Sequence, residues 1–270
     1  MTSFPTSELG EGPALLFLHG GPGLSDYLSA MPAEETQGWR RIGYTQRGLA
    51  PSPLDGPFTV AQHVADAIAV LDERRLDSAV VLGHSWGGFL AAVLASTHPD
   101  RVRGLVIVDP LGIAGDGGSA EFGAAMEART PAESRRRAME LDERAMSGEG
   151  TEDDAKESLR LVWPAYFADP GSAPPMPDDI RLSVPCYAQT NDDIVALLTG
   201  GELPTRAASY GGPVEVLHGL DSPMPSFAAT GTAECFSQGR ATAVADAGHF
   251  PWMEKPGCVA EALARLSARL

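Results

Sequence analysis

Lysine, cysteine and long apolar runs are all scarce in this chain, and each shortage excludes something. Of 270 residues only two are lysine, Lys156 and Lys255, and 20 Lys plus Arg stand against 36 Asp plus Glu, for a formal net charge of −16. Coating nucleic acid or an anionic membrane needs clustered cations, so neither is an expected partner. Three cysteines, Cys186, Cys235 and Cys258, are too scattered for a disulfide framework and form no CxxC pair, which points to a reducing, cytoplasmic compartment. The first twelve residues carry no basic or apolar leader, and nowhere do 18 apolar residues run together. A signal peptide and a membrane span are therefore not expected. Also missing are a G-x-x-x-x-G-K-[ST] phosphate loop, an H-E-x-x-H pair and a dinucleotide fingerprint, since Gly20-Gly21-Pro22-Gly23 has the wrong spacing.

What is present is a hydrophobic fraction of 43% with 30 Gly and 22 Pro, enough to bury a full core. Apolar runs at 14–19, 41–45, 78–83 and 102–108 read as strands, and helical spacing at 59–74 and 87–98 alternates with them. That alternation implies parallel βαβ units and a doubly wound α/β sheet. Between 112 and 205 no convincing strand appears, only helical stretches at 121–129, 132–146, 152–167 and within 178–198. Strands at 214–218 and 241–245, with helices near 227–235 and 258–270, then resume the pattern. The expected organisation is a core of 1–111 and 206–270, with 112–205 as a helical lid over the strands' C-terminal edge, where open α/β sheets bind ligands.

The strongest chemical signal is Gly83-His84-Ser85-Trp86-Gly87 between a predicted strand and a predicted helix. It fits G-x-S-x-G, in which small residues let a sharp strand-to-helix turn present the serine Oγ. A serine hydroxyl is a poor nucleophile until a histidine takes its proton and a carboxylate orients that histidine. The chain order Ser, acid, His selects His249, in Asp246-Ala-Gly-His-Phe-Pro after the last strand, as base. It selects Asp221, in His218-Gly-Leu-Asp-Ser-Pro, as acid, with Asp109 after the 102–108 strand as the rival. A developing oxyanion needs preorganised donors, and the N–H groups of Gly21, in His19-Gly-Gly-Pro-Gly, and of Trp86 are placed to supply them.

With HGGPG, a Gln46-Arg47-Gly48 turn, GHSWGG, HGLD and AGHF in that order, the chain resembles the α/β-hydrolase superfamily, and within it the proline iminopeptidase-like branch with its related serine esterases. The resemblance implies a mostly parallel sheet, a Ser85, Asp221, His249 triad, and no metal or organic cofactor. It also marks departures. Family members have more strand-forming chain before the position of Ala14, so the first hairpin is expected to be missing or reduced to residues 2–8. The iminopeptidases follow a lid tryptophan with a glutamate that holds the substrate's amino group, whereas Trp163 here precedes Pro164, and Leu49-Ala-Pro-Ser replaces the usual G-x-S after the RG turn.

The lid aromatics Trp163, Tyr166, Phe167 and Tyr187 are candidates to line an apolar acyl or aryl pocket, and Asp192, Asp193 and Glu202 are candidates for a substrate ammonium. The expected function is a serine hydrolase cleaving an ester, amide or lactone of a small molecule. The alternatives are a proline iminopeptidase, an acyltransferase or cyclising enzyme, and a non-hydrolytic binder on the same fold. Residues 112–205 hold 18 acidic and eight basic side chains, so most of the negative charge falls on the lid. Such a field would favour amine-bearing or neutral ligands over anions.

Overall fold

The computed structural model describes residues 4–147 and 149–270. Among them, seven strands form one sheet: β1 (Thr6–Leu9), β2 (Ala14–Leu18), β3 (Arg40–Tyr44), β4 (Ala79–His84), β5 (Val102–Val108), β6 (Val214–Gly219) and β7 (Gly239–Val244). Their spatial order is β1-β3-β2-β4-β5-β6-β7. Every neighbouring pair is parallel except β1, which runs antiparallel to β3 with Thr6 opposite Tyr44. The expected short hairpin is thus a four-residue edge strand, and residues 2 and 3 of it lie outside the described residues.

The central strands are apolar at consecutive positions because both faces of the sheet are covered. Leu16 and Val81 face one core, beneath α1 (Val60–Glu73) and α2 (Trp86–Thr97), while their neighbours Leu15 and Val80 face the other, beneath α10 (Cys258–Ser267). Ten consecutive residues of α2, Trp86 to Ala95, are buried, so this helix shows no polar face. The N-terminus of α1 is capped by Thr59, whose hydroxyl accepts the Gln62 N–H at 3.2 Å. That of α10 is held by the buried carboxylate of Glu35, which accepts the N–H groups of Gly257, Val259 and Ala260.

Although β5 pairs directly with β6, the chain between them builds α3 (Ser119–Arg129), α4 (Ala132–Met146), α5 (Glu152–Val162), α6 (Val184–Gly200) and α7 (Leu203–Ala207). Helical spacing predicts continuity from 152 to 167, but α5 stops at Val162 and residues 163–166 form a single 3₁₀ turn containing Pro164, which cannot donate to the α-helical ladder. The less definite helix within 178–198 begins at Val184, with Pro185 in its first turn, and ends at Gly201 with φ of 67°. The expected boundary at 205 falls inside α7, whose Leu203 and Ala207 pack into the core cluster shared with α2. After β6 come α8 (Ser226–Cys235) and, beyond β7, the short α9 (Pro251–Glu254). Among the described residues no helix is long and apolar enough to cross a membrane. The loops that leave β2, β4, β5, β6 and β7 converge on the C-terminal edge of the sheet beneath the inserted helices.

Candidate functional site

Ser85 leaves β4 and enters α2 with φ of 55° and ψ of −122°, a conformation costing a non-glycine residue on the order of 1–3 kcal/mol. Neighbouring glycines make the turn possible: a Cβ on Gly87 would collide with the Leu18 carbonyl, and one on Gly83 with the Gly87 backbone. The expected elbow is therefore formed. The HGGPG turn lies directly beside it, since a Cβ built on Gly20 would come within 2.9 Å of the Ser85 Cβ. Gly21 has φ of 61°. Among the described residues, neither its N–H nor that of Trp86 donates to another protein group, so both remain available.

The histidine and the carboxylate meet, but the carboxylate is Asp109. His249 Nδ1 lies 2.5 Å from Asp109 Oδ2, and both side chains are at most 4% exposed. Asp109 follows β5 with φ of 42°. Its carboxylate also accepts the Gly219 N–H at 3.1 Å and the Ser222 hydroxyl at 2.5 Å, so both oxygens are satisfied without solvent. Asp221, the residue expected there, is exposed. It joins the surroundings through its backbone: its N–H donates to the Ala247 carbonyl at 3.0 Å, and its carbonyl accepts from Arg129 at 2.7 Å. Within the turn after β6 the chain directs Ser222 inward and Asp221 outward, a distinction of one residue that strand order cannot register.

Two buried imidazoles fix the surrounding backbone. His84 Nε2 sits 2.7 Å from the His249 carbonyl. A carbonyl only accepts, so Nε2 carries the proton. Burial, then the nearby His249, holds the His84 pKa well below its ordinary value, so the ring is neutral and Nδ1 is an acceptor. Tyr27, 2.5 Å away, donates its hydroxyl to Nδ1 and accepts the Gly20 N–H at 2.9 Å. One chain of three directed hydrogen bonds thus ties the glycine turn to the His249 backbone. His19 works alongside it, accepting the Gln46 N–H at Nε2 and donating from Nδ1 to the Gly20 carbonyl, both at 3.0 Å. Gln46 in turn donates to the His19 carbonyl and accepts from the Trp86 indole, both at 2.8 Å. None of the roles of Tyr27, His84 or Gln46 follows from chain order. Gln46 within the QRG turn and His84 within the GHSWG motif carry a sequence signal, and Tyr27 carries none.

The His249 loop is seated on the inserted segment. Its N–H donates to the Tyr166 carbonyl at 2.7 Å, and Glu254 accepts from Gly248 at 2.6 Å and from Ala168 at 2.9 Å. A Cβ on Gly248 would strike the backbone of residues 166–168.

Ser85, Trp86, Gly21 and His249 line one cavity of about 440 Å³, which Trp163, Tyr166 and Tyr187 also line. Phe122, Ile194 and Phe250 join them, and among the described residues no Asp, Glu, Lys or Arg lines this space. Phe167 does not reach it. Being 1% exposed, it packs instead against Trp163 and Phe250, because the 3₁₀ turn carries it inward. The proposed ammonium ligands are also elsewhere: Asp193 caps α1 through the Val60 N–H at 2.7 Å, Glu202 pairs with Arg206 at 2.5 Å, and Asp192 is exposed. Ser85 Oγ has no protein hydrogen-bond partner among the described residues, a spacing that substrate commonly closes.

Comparison with known proteins identifies the fold. The family model described as alpha/beta hydrolase fold matches residues 13–256. A 2-hydroxymuconate semialdehyde hydrolase from Pseudomonas putida is 36% identical over 116 residues, 39% of this chain and 39% of that protein. A protein named probable proline iminopeptidase from Leptolyngbya boryana is 32% identical over 99 residues, 36% of this chain and 31% of that protein. The alignment thus spans well under half the length of the curated relatives it matches. Among solved structures, that of VinJ superimposes with a TM-score of 0.72 at 18% identity, covering 100% of this chain and 99% of the other, a likeness of fold.

Proposed function

The chain belongs to the α/β-hydrolase fold family, and from that premise we propose that it is a serine hydrolase acting on a neutral, largely apolar small-molecule ester, lactone or amide. The observation that carries this reading is the buried Asp109 to His249 hydrogen bond of 2.5 Å behind a cavity that also holds Ser85 on its strained turn. Residues 112–202 act as the lid, and the remainder, with α7 packed into it, as the hydrolase core.

In this reading Ser85 Oγ attacks the acyl carbon while His249 Nε2 takes its proton, and Asp109 holds the opposite ring nitrogen protonated and oriented. The Gly21 and Trp86 N–H groups receive the oxyanion. His249 then protonates the leaving oxygen or nitrogen, and the acyl group stays on Ser85. Water, deprotonated by His249, attacks the acyl enzyme and releases the acid, returning the proton to Ser85. No metal or cofactor enters the sequence.

The iminopeptidase alternative needs a carboxylate near the scissile bond to hold an ammonium, and the charge-free wall around Ser85 argues for the esterase-like reading. A fluorophosphonate probe tests the premise: labelling of the wild type and not of Ser85→Ala supports it, whereas equal labelling of both removes the nucleophile. Hydrolysis of p-nitrophenyl esters in preference to prolyl anilides would favour the esterase over the peptidase.

A further inference from the structure

A second cavity, of about 390 Å³, adjoins the one that holds Ser85. Both volumes fall in the range of small-ligand sites. The two share the walls formed by Gly21, Pro22, Leu24, Leu159, Tyr166 and Tyr187, so they meet at the oxyanion turn. Beyond that junction the second chamber runs between α4, α5 and the start of α6, where Ala145, Ala155, Val162, Leu182 and Val184 face it beside Ser158 and Ser183. Neither Ser85 nor His249 lines it.

That asymmetry orients a substrate. The leaving group must lie where His249 can protonate it, and His249 borders the first chamber alone. An arm entering the second chamber passes the oxyanion turn and leaves the base behind, so it belongs to the acyl half. Resting on the serine hydrolase reading above, we infer that the second chamber is the acyl-chain site, and that the substrate carries a linear aliphatic acyl group of medium length. The chamber's mostly apolar lining gives such a chain the burial that drives its binding. Asp142, the one charged lining residue among those described, opposes a chain ending in carboxylate.

Alkyl fluorophosphonates with ethyl to decyl chains test this through their rates of Ser85 labelling. Each methylene that enters the chamber is expected to raise the rate about fourfold, so four buried methylenes give on the order of a 100-fold preference for the longer probe. Val184→Trp, and separately Ala155→Trp, project an indole into the chamber and should bring the decyl to ethyl ratio down towards one. Two positions on different elements are used so that misfolding of either variant leaves the other to decide. A melting curve and ethyl-probe labelling identify a misfolded variant. Rates indifferent to chain length in the wild type overturn the acyl-chain site while leaving the hydrolase reading standing. A length preference that survives in a folded variant of both kinds places the chain elsewhere and also overturns it. No labelling of Ser85 by any probe ends the hydrolase reading and this inference with it.

Discussion

The core and the inserted helices furnish opposite halves of one cavity in opposite chemistry. The core contributes polar groups whose partners and proton directions are fixed: Asp109 with three donors, His84 between Tyr27 and the His249 carbonyl, and Gln46 between His19 and Trp86. The insert contributes aromatic and aliphatic surface and, around Ser85, no charge at all. Yet by sequence it is the insert that carries most of the negative charge. Its acidic residues are spent on caps and surface pairs such as Asp193 on α1, Asp154 in the Thr151 capping box, and Glu157 with Arg160. A segment's net charge therefore says little about the wall it turns inward, and of the amine-bearing or neutral ligands that an acidic lid would favour over anions, the lining around Ser85 fits the neutral ones.

Substitutions in the core half carry the largest expected effects. Ser85→Ala should lower ester hydrolysis by about 10⁵-fold or more, as removal of a serine nucleophile does elsewhere, and steady-state kinetics against a p-nitrophenyl ester would measure it. Tyr27→Phe removes the hydroxyl that joins Gly20 to His84. It is expected to lower kcat about tenfold with little change in KM, because the affected turn serves the transition state. A matching rise in KM would assign Tyr27 to ground-state binding instead.

The neutral histidines of the core give a further contrast, in stability. His63 is pushed down to about 3 by burial and then by Arg47, and His84 and His19 are lowered chiefly by burial. The unfolded chain binds these protons near pH 6.5 whereas the folded chain does not, so stability is complete above that value and is lost as pH falls below it. For His63 the loss is about 1.4 kcal/mol per pH unit between roughly 6.5 and 3. Melting at pH 7 and pH 5 should show His63→Gln losing less than wild type across that interval. The smallest effect belongs to the insert's outer charge. Glu140→Gln, which removes an exposed pair with Arg137, should change ester hydrolysis by less than about twofold at low salt. A larger change would show that the outer field reaches the cavity after all.

Much of this could be read from the sequence, because strand and helix alternate with the periodicity of a two-faced sheet, and because G-x-S-x-G carries its own steric requirement. Ser85, Trp86, Gly21 and His249 were legible for that reason, each being fixed by a local turn at a strand end. The choice between Asp109 and Asp221 was not. Both follow neighbouring strands at the same edge, and what separates them is the direction of one side chain in the turn after β6, where Ser222 points to Asp109 and Asp221 is exposed. Phe167 misleads similarly: Pro164 breaks the helical phase, and three residues later the ring faces the core. Tyr27 and His84 act through contacts 57 residues apart in sequence, beyond the reach of any local pattern.

We propose that Asp109, and not Asp221, serves His249. The most direct test is the rate of fluorophosphonate labelling of Ser85 in Asp109→Asn and Asp221→Asn, which needs no knowledge of the natural substrate. Because an asparagine at the acid position leaves the imidazole in the wrong tautomer, Asp109→Asn is expected to slow labelling by on the order of 10³–10⁴-fold while Asp221→Asn stays within about twofold of wild type. Slow labelling in Asp221→Asn with a near wild-type rate in Asp109→Asn would contradict the account.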